Sequence, residues 1–542
     1  MVAMSNMTSS GQPLLVLKEG SSETKNKAAQ KNNIMAAKIV AELVKSSLGP
    51  RGMDKMLVDG IGDVTITDDG ATILKQIDIE HPAAKAMVEI ARATDNEVGD
   101  GTTSAVVLAG ALLEKAEELI DKNIHPTIIA DGYKEAMEKA KKILSSIAIK
   151  VEPKDKKWLI KIAETSMATK LLSTDAGLLA PLVVDAILSI YKEENGKIKV
   201  NVQDIKVNKK AGGSTSDSQL IKGIIVDQMI VHQEMPKSVK GAKIALLNAP
   251  LEIEKTEFDA KININRPEQI RQFLKEENNM LKVMVEKVLS SGANVIISQK
   301  GIDDIAQHYL AKAGILAVRK ASENDMEKLA YATGGKVIST VDEISIEVLG
   351  YADLVEERKI EDDRWVFVEG CKNPKAVSLF LRGGTQKVVE ESERSIHDAL
   401  CVVRDVMQNP YIVVGAGAPE AEVASRLFEW AQKLSGRKQL AVQKFAEAVE
   451  VIPLSLAENA GMDPIDTLVE LRSGHSKKGS TVGVNALEGK VEDASKFEVY
   501  EPLAVKEQIF SVASEAAIMI LRIDDVIASA KQTKGPAAPP RR

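Results

Sequence analysis

Hydrophobic periodicity changes twice along this chain of 542 residues, and the order of those changes limits the folds open to it. From Lys25, apolar residues recur at three- and four-residue steps (Ile34, Ala37, Val40, Leu43, Val44, Leu48), the spacing of one helix face. The run stops at Leu48-Gly49-Pro50-Arg51-Gly52, where a glycine caps the helix and a proline cannot continue it. Short strands over 55–58 and 63–67, the turn Asp68-Asp69-Gly70, and Ala-rich helices over 82–93, 104–122 and 126–146 follow. Around Pro153 the composition becomes charged and mixed, with a smaller helical segment to about Lys192 and β-like runs from Lys197 to about Met235. Strands over 242–247, 294–298, 315–318 and 336–338 then alternate with helices over 268–290, 302–313 and 323–332. That alternation predicts a small α/β domain with a mostly parallel sheet. After about Pro374 helices return (386–406, 420–434, 438–456) and are expected to continue to Ala530. The pattern predicts a multi-domain α and α/β protein in which the outer helical blocks can form one domain with the middle inserted.

The length exceeds what one core supports. Aromatic residues make up only 3% of the chain, so its cores must be aliphatic. No basic stripe is interleaved with rings, so no nucleic-acid partner is expected. The net charge of -7 comes from 71 basic and 78 acidic residues mixed along the chain, which favours solubility. Two cysteines, Cys371 and Cys401, exclude a disulfide framework and fit a reducing cytoplasm. Six scattered histidines form no HxxxH or HExxH pair, so no zinc site is expected. Apolar runs are too short for a membrane span, and the Leu14–Leu17 run is too short for a signal peptide. Residues 1–24 and the tail 531–542 read as flexible.

The strongest local motif is Gly99-Asp100-Gly101-Thr102-Thr103-Ser104, at the start of a predicted helix. Glycines let a backbone approach an anion, and N–H groups at a helix start hold phosphate oxygens. The hydroxyls of Thr102, Thr103 and Ser104 add donors, and Asp100 offers a hard oxygen to Mg2+. The same residues also suit an ordinary helix behind a tight turn. No GxxxxGK[ST] loop occurs, so this is not a P-loop protein. Asp69 stands in a turn, Asp398 in the middle of a charged helix, and Gly415-Ala416-Gly417 between an apolar run and a helix. The default readings are a plain turn for the first and a solvated face for the second. Carboxylates with Gly/Thr loops, and no Ser, Cys or His nucleophile, point to water attack on a metal-bound phosphate.

Taken together, these segments resemble the group II chaperonins, the archaeal thermosome and its eukaryotic cytosolic relative. The resemblance runs from about Asn32 to Ile527. It is carried by LGPRGMDKML (48–57), DGATIL (69–74), EHPAAK (80–85), EVGDGTTSAVVLAG (97–110), GANVIISQKGIDDIAQHYLAKAGILAVRK (292–320), ERSIHDAL (393–400) and EVIPLSLAENAGMDPID (450–466). It implies an equatorial ATPase domain (25–152 and 410–530), an intermediate hinge domain (153–219 and 374–409), and an apical α/β substrate-binding domain (220–373). A helical lid protrusion is expected at about 250–280. The implied assembly is two stacked rings of eight or nine subunits, homo- or hetero-oligomeric, enclosing non-native protein clients.

The resemblance also implies ATP/ADP and Mg2+ as cofactors. Gly49, Pro50, Gly101, Thr102, Thr103 and Ser104 would hold phosphates, Lys170 would sense the terminal phosphate, and Asp100 would ligate Mg2+. Asp69 and Asp398 would position and activate the attacking water, with the intermediate domain closing to deliver Asp398. Gly415, Gly483, Asn485 and Glu501 match groups around the ribose and adenine. Helix 268–290 is expected to pack its second half on the sheet, while its first half, with Leu251, Ile253, Phe258 and Ile262, meets neighbouring subunits or clients.

Three departures stand out. Gly415-Ala416-Gly417 replaces three consecutive glycines, Asp68 stands where the family usually has Asn, and the Gly/Met-rich tail is missing. Both flanking glycines remain to absorb the turn, so Ala416 is expected to be tolerated. The leading function is an ATP-driven chaperonin subunit; the alternative is a structural or regulatory subunit of the same rings with weak ATPase activity.

Overall fold

The computed structural model describes residues 6–7, 13–14, 22–24, 26–168, 175–253, 267–373 and 376–528. The chain divides into two compact units, Met1–Lys150 with Tyr411–Arg542, and Val151–Pro410.

The first unit is built around the helix Thr102–Asp121, whose sequence TTSAVVLAGALLEKAEELID is apolar on every side from Ala105 to Leu113. A helix apolar all round belongs in a core. Ala105, Val106, Leu108, Ala109, Leu112 and Leu113 are fully buried between the helices Asn26–Lys45, Arg437–Val449 and Leu503–Leu521. Gly110 allows the close approach of Asn26–Lys45, since a Cβ there would overlap the Ala41 methyl. Two of the scarce aromatics meet in this core: Tyr133 packs edge-on against Phe445 at 5.5 Å and donates its hydroxyl to the Leu112 carbonyl at 2.8 Å. Where the chain leaves and re-enters this unit, Ile149–Lys150 pairs antiparallel with Tyr411–Val414, which pairs in turn with Tyr500–Pro502. The strand Tyr411–Val414 thereby delivers the Gly415 loop into the unit beside Glu501.

The second unit contains a seven-stranded sheet. Ser238–Leu247, Val295–Ser298, Leu316–Val318 and Val337–Ile338 run parallel, joined by helices Pro267–Ser290, Asp304–Lys312 and Glu323–Thr333. Gly350–Ile360 and Asp363–Cys371 add a long antiparallel hairpin, and Gly223–Val226 closes that edge. Beside it a smaller sheet pairs Ile205–Ala211 with Val377–Gly383 and Gln219–Ile221. The helices Gln386–Gln408 and Ala176–Ile190 pack on that sheet, and Lys156–Ala168 packs against both of these helices.

Four sequence expectations need correction. The main sheet is parallel only in part. The long hairpin escaped notice because its turn takes a left-handed residue at Glu361 (φ 54°) instead of the usual glycine. The helix expected over 438–456 is two, Arg437–Val449 and Val451–Asn459, with Pro453 near the start of the second, where its missing N–H costs little. The hairpin Val482–Asn485 with Lys490–Asp493 interrupts the expected helical run to Ala530. Leu251, expected to face neighbours or clients, is fully buried, with its backbone bonded to Gly301 and Asp303. Phe258 and Ile262 lie outside the described residues. In the helix Pro267–Ser290, Leu281, Val285 and Val288 are core, while Phe273 and Leu274 stay exposed.

The Gly110 contact yields a direct test. Gly110→Val should lower the unfolding free energy by about 1–3 kcal/mol, the usual cost of overpacking, read as an earlier denaturation midpoint. An unchanged midpoint would show that the Asn26–Lys45 helix is not held at this distance.

Candidate functional site

The helix Thr102–Asp121 starts on Gly101 in a left-handed conformation (φ 78°), and no side chain caps it. The N–H groups of its first turn, Thr102 to Ser104, have no acceptor within the helix. Two left-handed glycines, Gly99 (φ 72°) and Gly101, bracket Asp100, whose carboxylate accepts from the Gly101 N–H at 2.6 Å. Gly101 is also required by packing, because a Cβ there would lie 2.6 Å from Cδ1 of Ile509.

The neighbouring helix Gly70–Gln76 is capped in the ordinary way by Asp69, which accepts from the Thr72 N–H at 2.8 Å and the Ala71 N–H at 3.4 Å. The Thr102 hydroxyl donates to the same carboxylate at 3.3 Å. Gly70 lies against Thr103, with room for no Cβ: one built there would stand 2.6 Å from the Thr103 hydroxyl. The turn at 68–70 and the loop at 99–104 therefore share one wall.

Gly49 (φ 85°) abuts Leu456 on the helix Val451–Asn459. From the same helix the Asn459 amide donates to the carbonyls of Lys45 (3.1 Å) and Leu48 (2.8 Å), closing the end of the first helix. Pro50 follows at the surface, and Arg51 donates to the Leu487 carbonyl in the 482–493 hairpin at 3.2 Å. Pro453 on Val451–Asn459 meets Gly417, so one short helix buttresses both glycine loops.

Ala416 departs from expectation. Of the three loop residues, Ala416 (φ 60°) and Gly417 (φ 75°) take the left-handed turn, so the flanking glycines do not absorb it alone. The Ala416 carbonyl accepts from the Val484 N–H at 2.9 Å, and a Cβ on Gly483 would stand 2.8 Å from that oxygen. Gly415 bonds the Val499 carbonyl through its N–H, and a Cβ there would meet Oε1 of Glu501 at 2.5 Å. Asn485, buried in the same hairpin, donates to Glu492 at 2.8 Å. The helix Ala418–Ala431 also lacks a side-chain cap, but its start is better satisfied: Ala418 N–H reaches the Gly415 carbonyl, and Pro419 has no N–H.

Buried charge ties the loops together. Lys506 Nζ lies 2.8 Å from Glu420 and 2.6 Å from Glu501, with the Lys506 side chain 4% and the Glu420 side chain 1% exposed. Burial disfavours the ammonium, but the two carboxylates outweigh it and hold its pKa above the ordinary lysine value. Burial raises Glu501; Lys506 opposes this, while the Glu420 and Asp100 carboxylates add to it. Asp100 thus lies within electrostatic reach of the Glu501 carboxylate. Nearby, His475 bridges Glu422 (Nδ1, 2.7 Å) and the Val482 carbonyl (Nε2, 2.8 Å), fastening the hairpin to the helix Ala418–Ala431. The His475 bond holds Glu422 below the usual carboxylate range against the opposing effect of burial. Sequence reading missed Lys506, Glu420, Glu422 and His475. The available signal was a charged residue on an otherwise apolar helix face, as in LAVKEQIF (503–510).

Gly49, Pro50, Asp69, Asp100, Gly101, Thr102, Thr103, Ser104, Gly415, Gly483, Asn485 and Glu501 all belong to the first unit. Lys170 lies outside the described residues. Asp398 belongs to the second unit, on the helix Gln386–Gln408, which Thr385 caps. There it is 7% exposed, contrary to the solvated face expected, because Ser395, Ile396 and Ala399 around it face the interior.

Two measurements test this geometry. Ala416→Gly should stabilise the chain by about 0.5–1 kcal/mol by relieving a left-handed Cβ, seen as a higher denaturation midpoint. Lys506→Met should destabilise it by about 3 kcal/mol, because the buried Glu420 carboxylate and the partly exposed Glu501 lose their counter-charge. A silent Lys506→Met would mean that the triad is solvated.

Among the described residues, no helix is long and apolar enough to cross a membrane. Residues 40–531 match the model of the TCP-1/cpn60 chaperonin family. The chain is 53% identical over 524 residues to a thermosome subunit of Pyrococcus horikoshii, covering 97% of this chain and 95% of that protein. It is 55% identical to thermosome subunit beta of Archaeoglobus fulgidus, covering 96% of each chain, and 52% identical to a thermosome subunit of Methanopyrus kandleri, covering 98% and 97%. With more than half of its residues shared along nearly its whole length, and with the glycine loops of its first unit in place, the chain belongs to the TCP-1/cpn60 chaperonin family, in its group II branch.

Proposed function

We propose that this protein is an ATP-hydrolysing subunit of a double-ring folding chamber in the cytoplasm, which encloses non-native proteins and closes a built-in lid. The observation that carries the reading is the start of the helix Thr102–Asp121. Left-handed Gly101, no side-chain cap, three hydroxyl residues in the first turn and the Asp100 carboxylate beside it make a site suited to phosphate and Mg2+. The residues fit the cofactor: hard oxygen from Asp100, backbone donors from Thr102–Ser104, and glycines at 49, 415 and 483 where a Cβ would collide with the surrounding wall.

Bound Mg2+-ATP supplies the scissile phosphoanhydride and a cation that neutralises its oxygens. Thr102, Thr103 and Ser104, with Gly49 and Pro50, would hold the phosphates. Gly415, Gly483, Asn485 and Glu501 take the ribose and adenine side. Asp69, fixed as a helix cap, orients water. Asp398 is assigned the general-base role and Lys170 the contact to the terminal phosphate, both by resemblance. We further divide the chain into equatorial (25–152, 410–530), intermediate (153–219, 374–409) and apical (220–373) domains. The exposed Phe273 and Leu274 on Pro267–Ser290 support contact with clients or with a neighbouring lid.

A second reading, a ring subunit with weak turnover, is favoured by one observation, the left-handed Ala416 in the nucleotide-side loop. Turnover separates the two. Asp398→Ala should leave ATP binding nearly intact and slow hydrolysis about 10²-fold or more, the scale of a lost general base. Wild-type turnover in that variant would remove Asp398 from the chemistry. A rise beyond about tenfold in Ala416→Gly would favour the weak-turnover reading.

A further inference from the structure

The sequence shows no paired histidines, yet the second unit brings two of them together. His232, in the loop after strand Gly223–Val226, and His308, on the helix Asp304–Lys312, stand with ring centroids 6.3 Å apart. Glu234 joins them, and one ligand atom from each of the three lies within 4.8 Å of the others. We propose that His232, Glu234 and His308 form a binding site for Zn2+ or a similar first-row divalent ion on the α/β unit, separate from the nucleotide site.

Two imidazoles and a carboxylate are the donor set of three-ligand zinc sites, with water in the fourth position. Imidazole also selects against Mg2+, which prefers oxygen ligands. Zinc bonds of about 2.0–2.1 Å place tetrahedral ligand atoms roughly 3.4 Å apart, so side-chain rotations of about an ångström close the set. The frame beneath is fixed. The His232 loop is pinned to the sheet edge by the Ile230–Val318 bridge and by the Val231 N–H to the Ala317 carbonyl at 3.1 Å. Met235, 3% exposed, anchors its far side, and Met235 N–H bonds the His232 carbonyl at 3.2 Å. Ala306 and Leu310, both fully buried, hold the helix that presents His308. The Glu234 N–H donates to Nδ1 of His232 at 3.2 Å, which orients the ring; a metal taking Nδ1 replaces that bond, and one taking Nε2 requires the other tautomer. His232 also borders an open pocket with Met229 and Glu357, which gives ions a path to the ring. A bound ion would staple the loop to the helix across the sheet edge.

The test is equilibrium dialysis of the chelator-stripped, nucleotide-free full chain against Zn2+, with elemental analysis. About one Zn2+ per chain should bind saturably and survive excess Mg2+. His232→Ala and His308→Ala should each weaken binding at least tenfold, the scale of a lost ligand or its support, while His125→Ala should not. Glu234→Gln, which keeps size and shape, should also weaken it with the thermal midpoint in chelator unchanged; this covers the case in which a histidine variant folds poorly. No saturable Zn2+, or binding indifferent to Glu234→Gln and both histidine changes, would overturn the site.

Discussion

Everything in the first unit is arranged around one unsatisfied helix start. The helix Thr102–Asp121 is buried along most of its length, so its first-turn N–H groups are the end of a macrodipole held in a low-dielectric setting. Gly70–Gln76, Pro82–Val98 and Pro126–Ile147 begin on the side-chain caps Asp69, His81 and His125, whereas Arg437–Val449 and Leu503–Leu521 have none. Thr102–Asp121 begins on left-handed Gly101 with no side-chain cap. Such a start costs stability unless an anion completes it, and the core around it is what keeps it in place. Val505 and Ile509 press on Gly101, and between them in sequence Lys506 reaches Glu420 and Glu501. A single turn of one helix thus fixes both the Gly101 helix start and the Gly415 loop.

That arrangement also explains why the chain is interrupted. The strand Tyr411–Val414 must enter between Ile149–Lys150 and Tyr500–Pro502 to present Gly415 to Glu501. A unit made from both ends of the chain brings loops near 49, 69, 101, 415 and 483 together with the helix Val451–Asn459, which no contiguous stretch of the sequence supplies. The 151–410 segment is free to be a separate α/β unit because its excursion begins and ends on neighbouring strands, Lys150 opposite Tyr411.

Local physics was readable where it is local. Gly49-Pro50 ends the first helix and Gly99-Asp100-Gly101 starts another because backbone sign and a missing Cβ decide those positions. Strand and helix alternation over 242–338 follows from periodicity alone. What depends on contacts distant in sequence was hidden. Lys506 looks like one more charged helix residue until Glu420 and Glu501 surround it. Asp398 looks solvated until the residues beside it turn inward. His232 and His308 are remote in sequence and meet only because a sheet edge brings them together. Ala416 was hidden for a different reason: the flanking glycines suggest a tolerant turn, but positions 416 and 417 both turn left-handed, and the Ala416 carbonyl accepts from the Val484 N–H of the hairpin. The Glu361 turn was missed for the same cause, a left-handed residue without glycine's signature.

The most direct test of the account is the structure of the full chain bound to a non-hydrolysable ATP analogue and Mg2+. The account predicts phosphate oxygens within about 3 Å of the N–H groups of Thr102–Ser104, with the metal on Asp100 and the adenine on the Gly415–Gly483 side. A nucleotide seated elsewhere, with the Gly101 helix start left facing solvent, would contradict it.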